Sequence, residues 1–221
     1  MKEKSMLPQQ TPIEKKPFLT VSGILLLLFY SFQNFIPGIG SLSRGVSYTI
    51  VALVFLAAVA AFWPELKRDV PAFFKHFKDY CVFFFPKFGI FLLIYFVTAV
   101  FITAAAGEAS ANQTALSGFP LPLLAFSALI YAPVLEEILY RGFLRRLFSG
   151  DEMFILVSAF FFGLIHMLHP GQSFGQMLYI LEYALLGGFI AYLYAKSDNI
   201  CVSMLWHFFL NFVAFLPMLF A

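Results

Sequence analysis

Long apolar runs separated by short polar ones dominate the chain. The runs cover residues 18–37, 46–63, 88–106, 119–144, 153–169, 176–195 and 200–220, each close to the roughly 20 residues that a helix needs to cross the hydrocarbon core of a bilayer. The fourth continues as one long helix through the EEILYRGFLRRLF stretch. Its Pro120, Pro122 and Pro133 predict kinks, which at membrane depth face protein or water. Between the second and third runs, residues 64–87 interleave bulky aromatics with Lys67, Arg68, Lys75, Lys78 and Lys87, the pattern of a segment lying along a membrane surface. Residues 1–17 are a polar leader. The run after it is long for a signal-peptide core and lacks a small-x-small cleavage pattern, which predicts a retained signal anchor. The expected fold is all-α: a polytopic transmembrane bundle of about seven spans in a single domain over 18–221, with no internal repeat.

Composition supports this reading and excludes others. Of 221 residues, 61% are hydrophobic and 12% charged, against roughly 45–50% and 25% in soluble domains. A net charge of +2 with 19% aromatic residues argues against disorder and against a nucleic-acid partner. Cys81 and Cys201 cannot make a disulfide framework. Basic residues favour the cytoplasmic side. With the amino terminus inside, seven spans leave 13 of the 14 Lys and Arg on that side, Arg44 being the exception. The same arrangement puts the loop 107–118, which has no Lys or Arg, on the other side. The expected location is a multi-pass integral position in a bacterial plasma membrane, the compact size favouring a bacterial host, or in the endoplasmic reticulum membrane if the host is eukaryotic.

An ionisable group at bilayer depth costs about 2.5–3.5 kcal/mol on insertion scales, so each one retained there is a candidate for function. Those within the runs are Glu136, Glu137, Arg141, His166, Glu182 and His207. At about 1.5 Å per residue from the inner ends, Glu136 lies about 15 Å deep, His166 about 20 Å, His207 about 10 Å and Asn211 about 16 Å. Three helices thus place polar groups in one slab. Glu136 and Glu137 project about 100° apart, whereas Glu137 and Arg141 share a face. Glu137 is therefore expected to neutralise Arg141, which leaves Glu136 for chemistry. His207 and Asn211, also four apart, can aim two donors at one point. A carboxylate and an imidazole in an apolar cavity can deprotonate a water, and two donors can hold an oxyanion. This inventory suits peptide hydrolysis within a membrane.

EEILYR at 136–141, FGLIH at 162–166 and HFFLN at 207–211, in that order on separate spans, resemble the signature of the CAAX protease and bacteriocin-processing (CPBP, or Abi) family of intramembrane endopeptidases. The resemblance covers about the last hundred residues. It implies Glu136 and His166 as the water-activating pair, His207 and Asn211 as oxyanion stabilisers, and Glu137 and Arg141 as supports; Phe162 is read as a packing residue that shapes the pocket. The implied substrate is a membrane-embedded or lipidated peptide or protein. No cofactor is expected. The alternative is zinc held by Glu136, His166 and His207, although HExxH is absent and the ligands would come from three helices. Glu182, level with His166, is expected either to line the cavity or to bond a neighbouring helix. Gly187, Gly188 and Ala191 suit close helix packing. Two rivals stand beside the protease reading: a non-catalytic membrane adaptor or bacteriocin self-immunity protein, and a small transporter.

Overall fold

The computed structural model describes residues 7–8, 17–32, 42–116, 119–167 and 172–216. The polar leader 1–17 lies outside the described residues apart from Leu7, Pro8 and Pro17, as do the far ends of the first, fifth and seventh apolar runs.

Every secondary-structure element among the described residues is helical. The first helix, α1, runs Pro17–Phe32. Ser43 accepts the Val46 N–H and caps α2 (Arg44–Ala61). α3 (Trp63–Lys75) follows with Pro64 in its first turn. The pair bends by 74°, because a proline at that position starts a helix readily and continues one badly. α4 (Phe77–Ala106) is a single helix of 30 residues that ends at Gly107, whose φ of 70° suits a residue without Cβ.

Residues 64–87 divide between two helices. From Phe77 onward the chain is already part of α4, with Lys78 and Lys87 on its first turns. A helix of that length extends about 45 Å, more than the roughly 30 Å of a hydrocarbon core, so its basic first third has room to stand in the interface.

A short helix, α5 (Ala111–Leu116), leads to α6, which spans Leu121–Phe143. Then come α7 (Asp151–His166), α8 (Phe174–Met177), α9 (Ile180–Ser197) and α10 (Ile200–Phe215). Three of the described helical stretches are long and apolar enough to cross a membrane: Phe77–Ala106, Leu121–Phe143 and Phe174–Ser197. A fourth is added if the bent pair α2–α3 counts as one span. Leu19–Phe32 and Ile200–Phe215 are shorter apolar helices. The chain is an integral membrane protein.

Asp69 of α3 anchors the start of α10. Its Oδ2 accepts the Ile200 N–H at 2.8 Å, its carbonyl accepts from Asn199 Nδ2 at 2.9 Å, and Arg68 closes on its Oδ1 at 2.6 Å. The tightest packing is between α7 and α9, where small residues let two backbones approach. A Cβ on Gly163 would lie 2.6 Å from the Ile180 carbonyl oxygen, and one on Gly187 would lie 2.6 Å from Phe162 Cβ. Gly163→Ala is therefore expected to lower stability by about 1–3 kcal/mol through forced separation of the two helices. Gly89→Ala on α4, where a Cβ meets nothing within 4 Å, should not be destabilising. Thermal unfolding in detergent micelles compares the two, and equal melting temperatures would contradict the packing account.

Candidate active site

The site begins with a change of helical register. α6 contains two π-helical stretches, Ser127–Tyr131 and Glu137–Phe143, flanking the α-helical turn Ala132–Glu136. In the first stretch the Ala132 N–H bonds the Ser127 carbonyl, five residues back. The next amide in that register would reach Ala128, but residue 133 is proline and has no N–H. Asn211 Nδ2 takes its place, donating to the Ala128 oxygen at 2.7 Å. A proline in α6 thus leaves a carbonyl to be satisfied, and a side chain from α10 satisfies it. Asn211 keeps its second amide hydrogen.

Glu136 closes the α-helical turn and Glu137 opens the second π stretch. The two carboxylates take different surroundings. Glu136 lines a cavity of about 280 Å³ together with His166, His207, Asn211 and Phe162. That volume is at the small end for ligand pockets and suits a short length of extended chain. Glu137 lies behind the cavity wall, fully buried, as is Arg141. Its Oε1 is 3.1 Å from Arg141 Nη1 and accepts from His207 Nδ1 at 2.7 Å. Arg141 also donates from Nη2 to the Gly187 carbonyl at 3.1 Å and stacks over Phe162 at 4.4 Å. One carboxylate therefore neutralises the guanidinium and fixes the imidazole of another helix.

His166 is oriented by its own helix. Nδ1 donates to the Phe162 carbonyl at 2.7 Å, so in the neutral ring Nε2 is the lone-pair nitrogen. Nε2 lies 4.0 Å from Glu136 Oε2. Two acceptors at that separation are bridged by a water about 2.8 Å from each with an angle near 90°, close to that between the two O–H bonds. Such a water donates both hydrogens to the protein and turns its lone pairs outward. Tyr30 of α1 donates to Glu136 Oε1 at 3.3 Å and steadies the other carboxylate oxygen.

Among the described residues no group of three or more His, Cys, Asp or Glu side chains is set to hold a metal ion. Of the three residues the zinc alternative names, Glu136 and His166 approach each other, and His207 turns Nδ1 to Glu137 and lines the same cavity. Glu182 does not line the cavity; its Oε1 accepts from Tyr95 of α4 at 2.7 Å, and Tyr95 does line it.

A family profile described as type II CAAX prenyl endopeptidase Rce1-like matches residues 118–213. The match covers less than half of the chain, so residues 118–213 are similar to that family. At family level the likeness is to an intramembrane CAAX-type protease. UPF0177 protein YxdF of Lactococcus lactis subsp. lactis (strain IL1403) is 26% identical over 117 residues, which cover 51% of this chain and 62% of YxdF. The chain thus spans less than two thirds of the curated relative that it matches. No solved structure matches the chain.

The Rce1-like region holds all three motifs, with Glu136, His166, His207 and Asn211 meeting at one cavity. The wall is completed from outside it, by Tyr30, Tyr95, Asn112 and Gln113. Sequence reasoning missed Tyr30 and Tyr183, because a tyrosine in a run of leucine and phenylalanine carries no spacing signal. It also missed the Glu137–His207 bond, which joins residues 70 positions apart.

Proposed function

We propose that the protein is an intramembrane endopeptidase that hydrolyses a peptide bond of a membrane-embedded or lipid-anchored substrate with a water held by Glu136 and His166. The observation that carries this is the approach of two acceptors, Glu136 Oε2 and His166 Nε2, to 4.0 Å in a cavity also lined by His207 and Asn211. In the reaction, Glu136 takes a proton from the water as its oxygen attacks the scissile carbonyl. The tetrahedral oxyanion accepts hydrogen bonds from His207 Nε2 and the spare Asn211 amide hydrogen. Glu136 returns the proton to the leaving nitrogen as the C–N bond breaks. For His207 to donate from Nε2 while Nδ1 donates to Glu137, the ring carries a second proton.

The reaction needs no metal in this reading. The purified protein is expected to contain no stoichiometric zinc and to keep its activity in chelator, whereas bound zinc together with loss of activity on chelation would overturn the metal-free mechanism. We further propose seven spans with the amino terminus cytoplasmic, supported by the clustering of basic residues, in a bacterial plasma membrane, supported by the lactococcal relative. Membrane peptidomes of cells carrying the wild-type or the Glu136→Gln chain test the reading. A peptide present only with wild type names the substrate; identical peptidomes with an unaltered phenotype overturn the protease reading and favour a binding protein.

A further inference from the structure

His166 is held on three sides. The Phe162 carbonyl takes Nδ1, the Phe162 ring sits 4.3 Å away at 37°, and the Tyr183 ring lies almost parallel on it, at 4.5 Å and 15°. The first two constraints come from α7 itself. Tyr183 comes from α9, and its hydroxyl points away from the imidazole to the segment that follows α4. There it lies 3.2 Å from Ser110 Oγ and accepts from Asn112 Nδ2 at 3.2 Å.

That segment is tied down over the cavity. Tyr179 donates to the Glu108 carbonyl at 2.8 Å, Gln176 donates to the Ala109 carbonyl at 3.2 Å, and Ser173 bonds Glu108. Asn112 and Gln113 project from it and line the same cavity as Glu136. Asn112 gives one amide hydrogen to Tyr183 and keeps a second hydrogen and its Oδ1. These are the complements of the C=O and N–H of a peptide main chain. A single aromatic side chain therefore connects a roof able to bond a peptide backbone with one face of the imidazole that holds the water.

We propose that Tyr183 is a positioning residue coupling the segment 107–116 to His166, so that a peptide main chain bonded to Asn112 fixes the imidazole for reaction. The proposal rests on the reading of His166 as the partner of Glu136, and the roof is where the substrate backbone is recognised. Tyr183 acts through its ring on His166 and through its hydroxyl on the roof.

The test uses the full chain in detergent micelles and needs no substrate. Diethyl pyrocarbonate acylates the lone-pair nitrogen of neutral imidazole, and mass spectrometry reads the rate at each histidine. His76, outside the site and paired with Asp79 at 3.2 Å, reports general integrity. Tyr183→Leu removes ring and hydroxyl together and should raise the rate at His166 by about three- to tenfold, the range equivalent to one lost aromatic contact. His76 should be unchanged. Tyr183→Phe keeps the stack and loses the roof, so it should give a smaller rise. Asn112→Ala, which leaves the hydroxyl its Ser110 partner, should give no more than that rise, and the Tyr183→Phe/Asn112→Ala double variant should not exceed Tyr183→Phe, as expected of two residues acting through one link.

A rate at His166 in Tyr183→Leu that stays within about twofold of wild type, a change smaller than the loss of an aromatic contact, overturns the proposal. So do single effects that multiply in the double variant, which would separate roof from ring. If Tyr183→Leu also exposes His76, the Tyr183→Phe and Asn112→Ala pair decides. Absence of proteolysis in the wild type bears on the endopeptidase reading alone, since no step of this test involves cleavage.

Discussion

Glu136→Gln is expected to abolish peptide hydrolysis, with a fall in kcat of about a thousandfold, the scale of a lost general base. The variant keeps shape and volume, and its amide oxygen can still accept from Tyr30, which donates to Glu136 Oε1 at 3.3 Å. It cannot take a proton from water. Stability should change little, because the buried guanidinium of Arg141 is neutralised by Glu137 at 3.1 Å and not by Glu136. KM should also hold, since a general base acts on the water and adds nothing to substrate affinity. Steady-state kinetics on the substrate found by peptidomics, set beside thermal unfolding of the same preparations, provides the check. Cleavage at a wild-type rate would remove Glu136 from the mechanism.

Its neighbour should behave in the opposite way. Glu137→Ala strands Arg141, fully buried, without the carboxylate that it pairs with, leaving the Gly187 carbonyl and the Phe162 ring in contact, and takes the acceptor from His207 Nδ1. Breaking a buried pair by removing one partner costs about 3–5 kcal/mol, because the remaining charge has no compensation. The variant should unfold well below Glu136→Gln in micelles and be inactive. The Glu137→Leu/Arg141→Leu double variant removes both charges and should recover most of the lost stability without recovering activity, because His207 stays unanchored. If Glu137→Ala melts with Glu136→Gln, the ion pair is not what holds α6, α7 and α9 together around the site.

The different surroundings of the two glutamates, one at the cavity and one beside Arg141, were legible in the sequence because they depend only on helical geometry. Adjacent residues diverge by about 100° and residues four apart share a face. The presence of long apolar helices was legible for a similar reason, since run length and hydropathy are local quantities. Relations between distant segments were not legible. The Glu137–His207 bond, the Tyr30 hydrogen bond to Glu136 and the Tyr183 stack on His166 each join helices whose mutual rotation no single run encodes. The start of α4 at Phe77 was not legible, for another reason. Surface chemistry and helix continuity are independent properties, and α4 carries its interfacial lysines without a break at residue 88. Asn211 shows how a residue given one task can have two. The sequence presents it as a donor toward the cavity, and its bond to Ala128 arises only because Pro133 leaves a carbonyl unmatched.

The wide turns of α6 also act as a residue counter. A π turn holds about one residue more than an α turn and appears mostly as a single-turn insertion at functional sites. The surplus at Ser127–Tyr131 therefore sets whether Leu135 or Glu136 arrives at the cavity. Were that stretch wound as ordinary α-helix, everything after it would turn by about 100° relative to Leu121–Phe126. Glu136 would then turn to the wall position that Glu137 now holds, and Leu135 would take its place at the cavity. Whether a carboxylate or a leucine side chain faces the cavity is decided by a single residue of helical slack upstream.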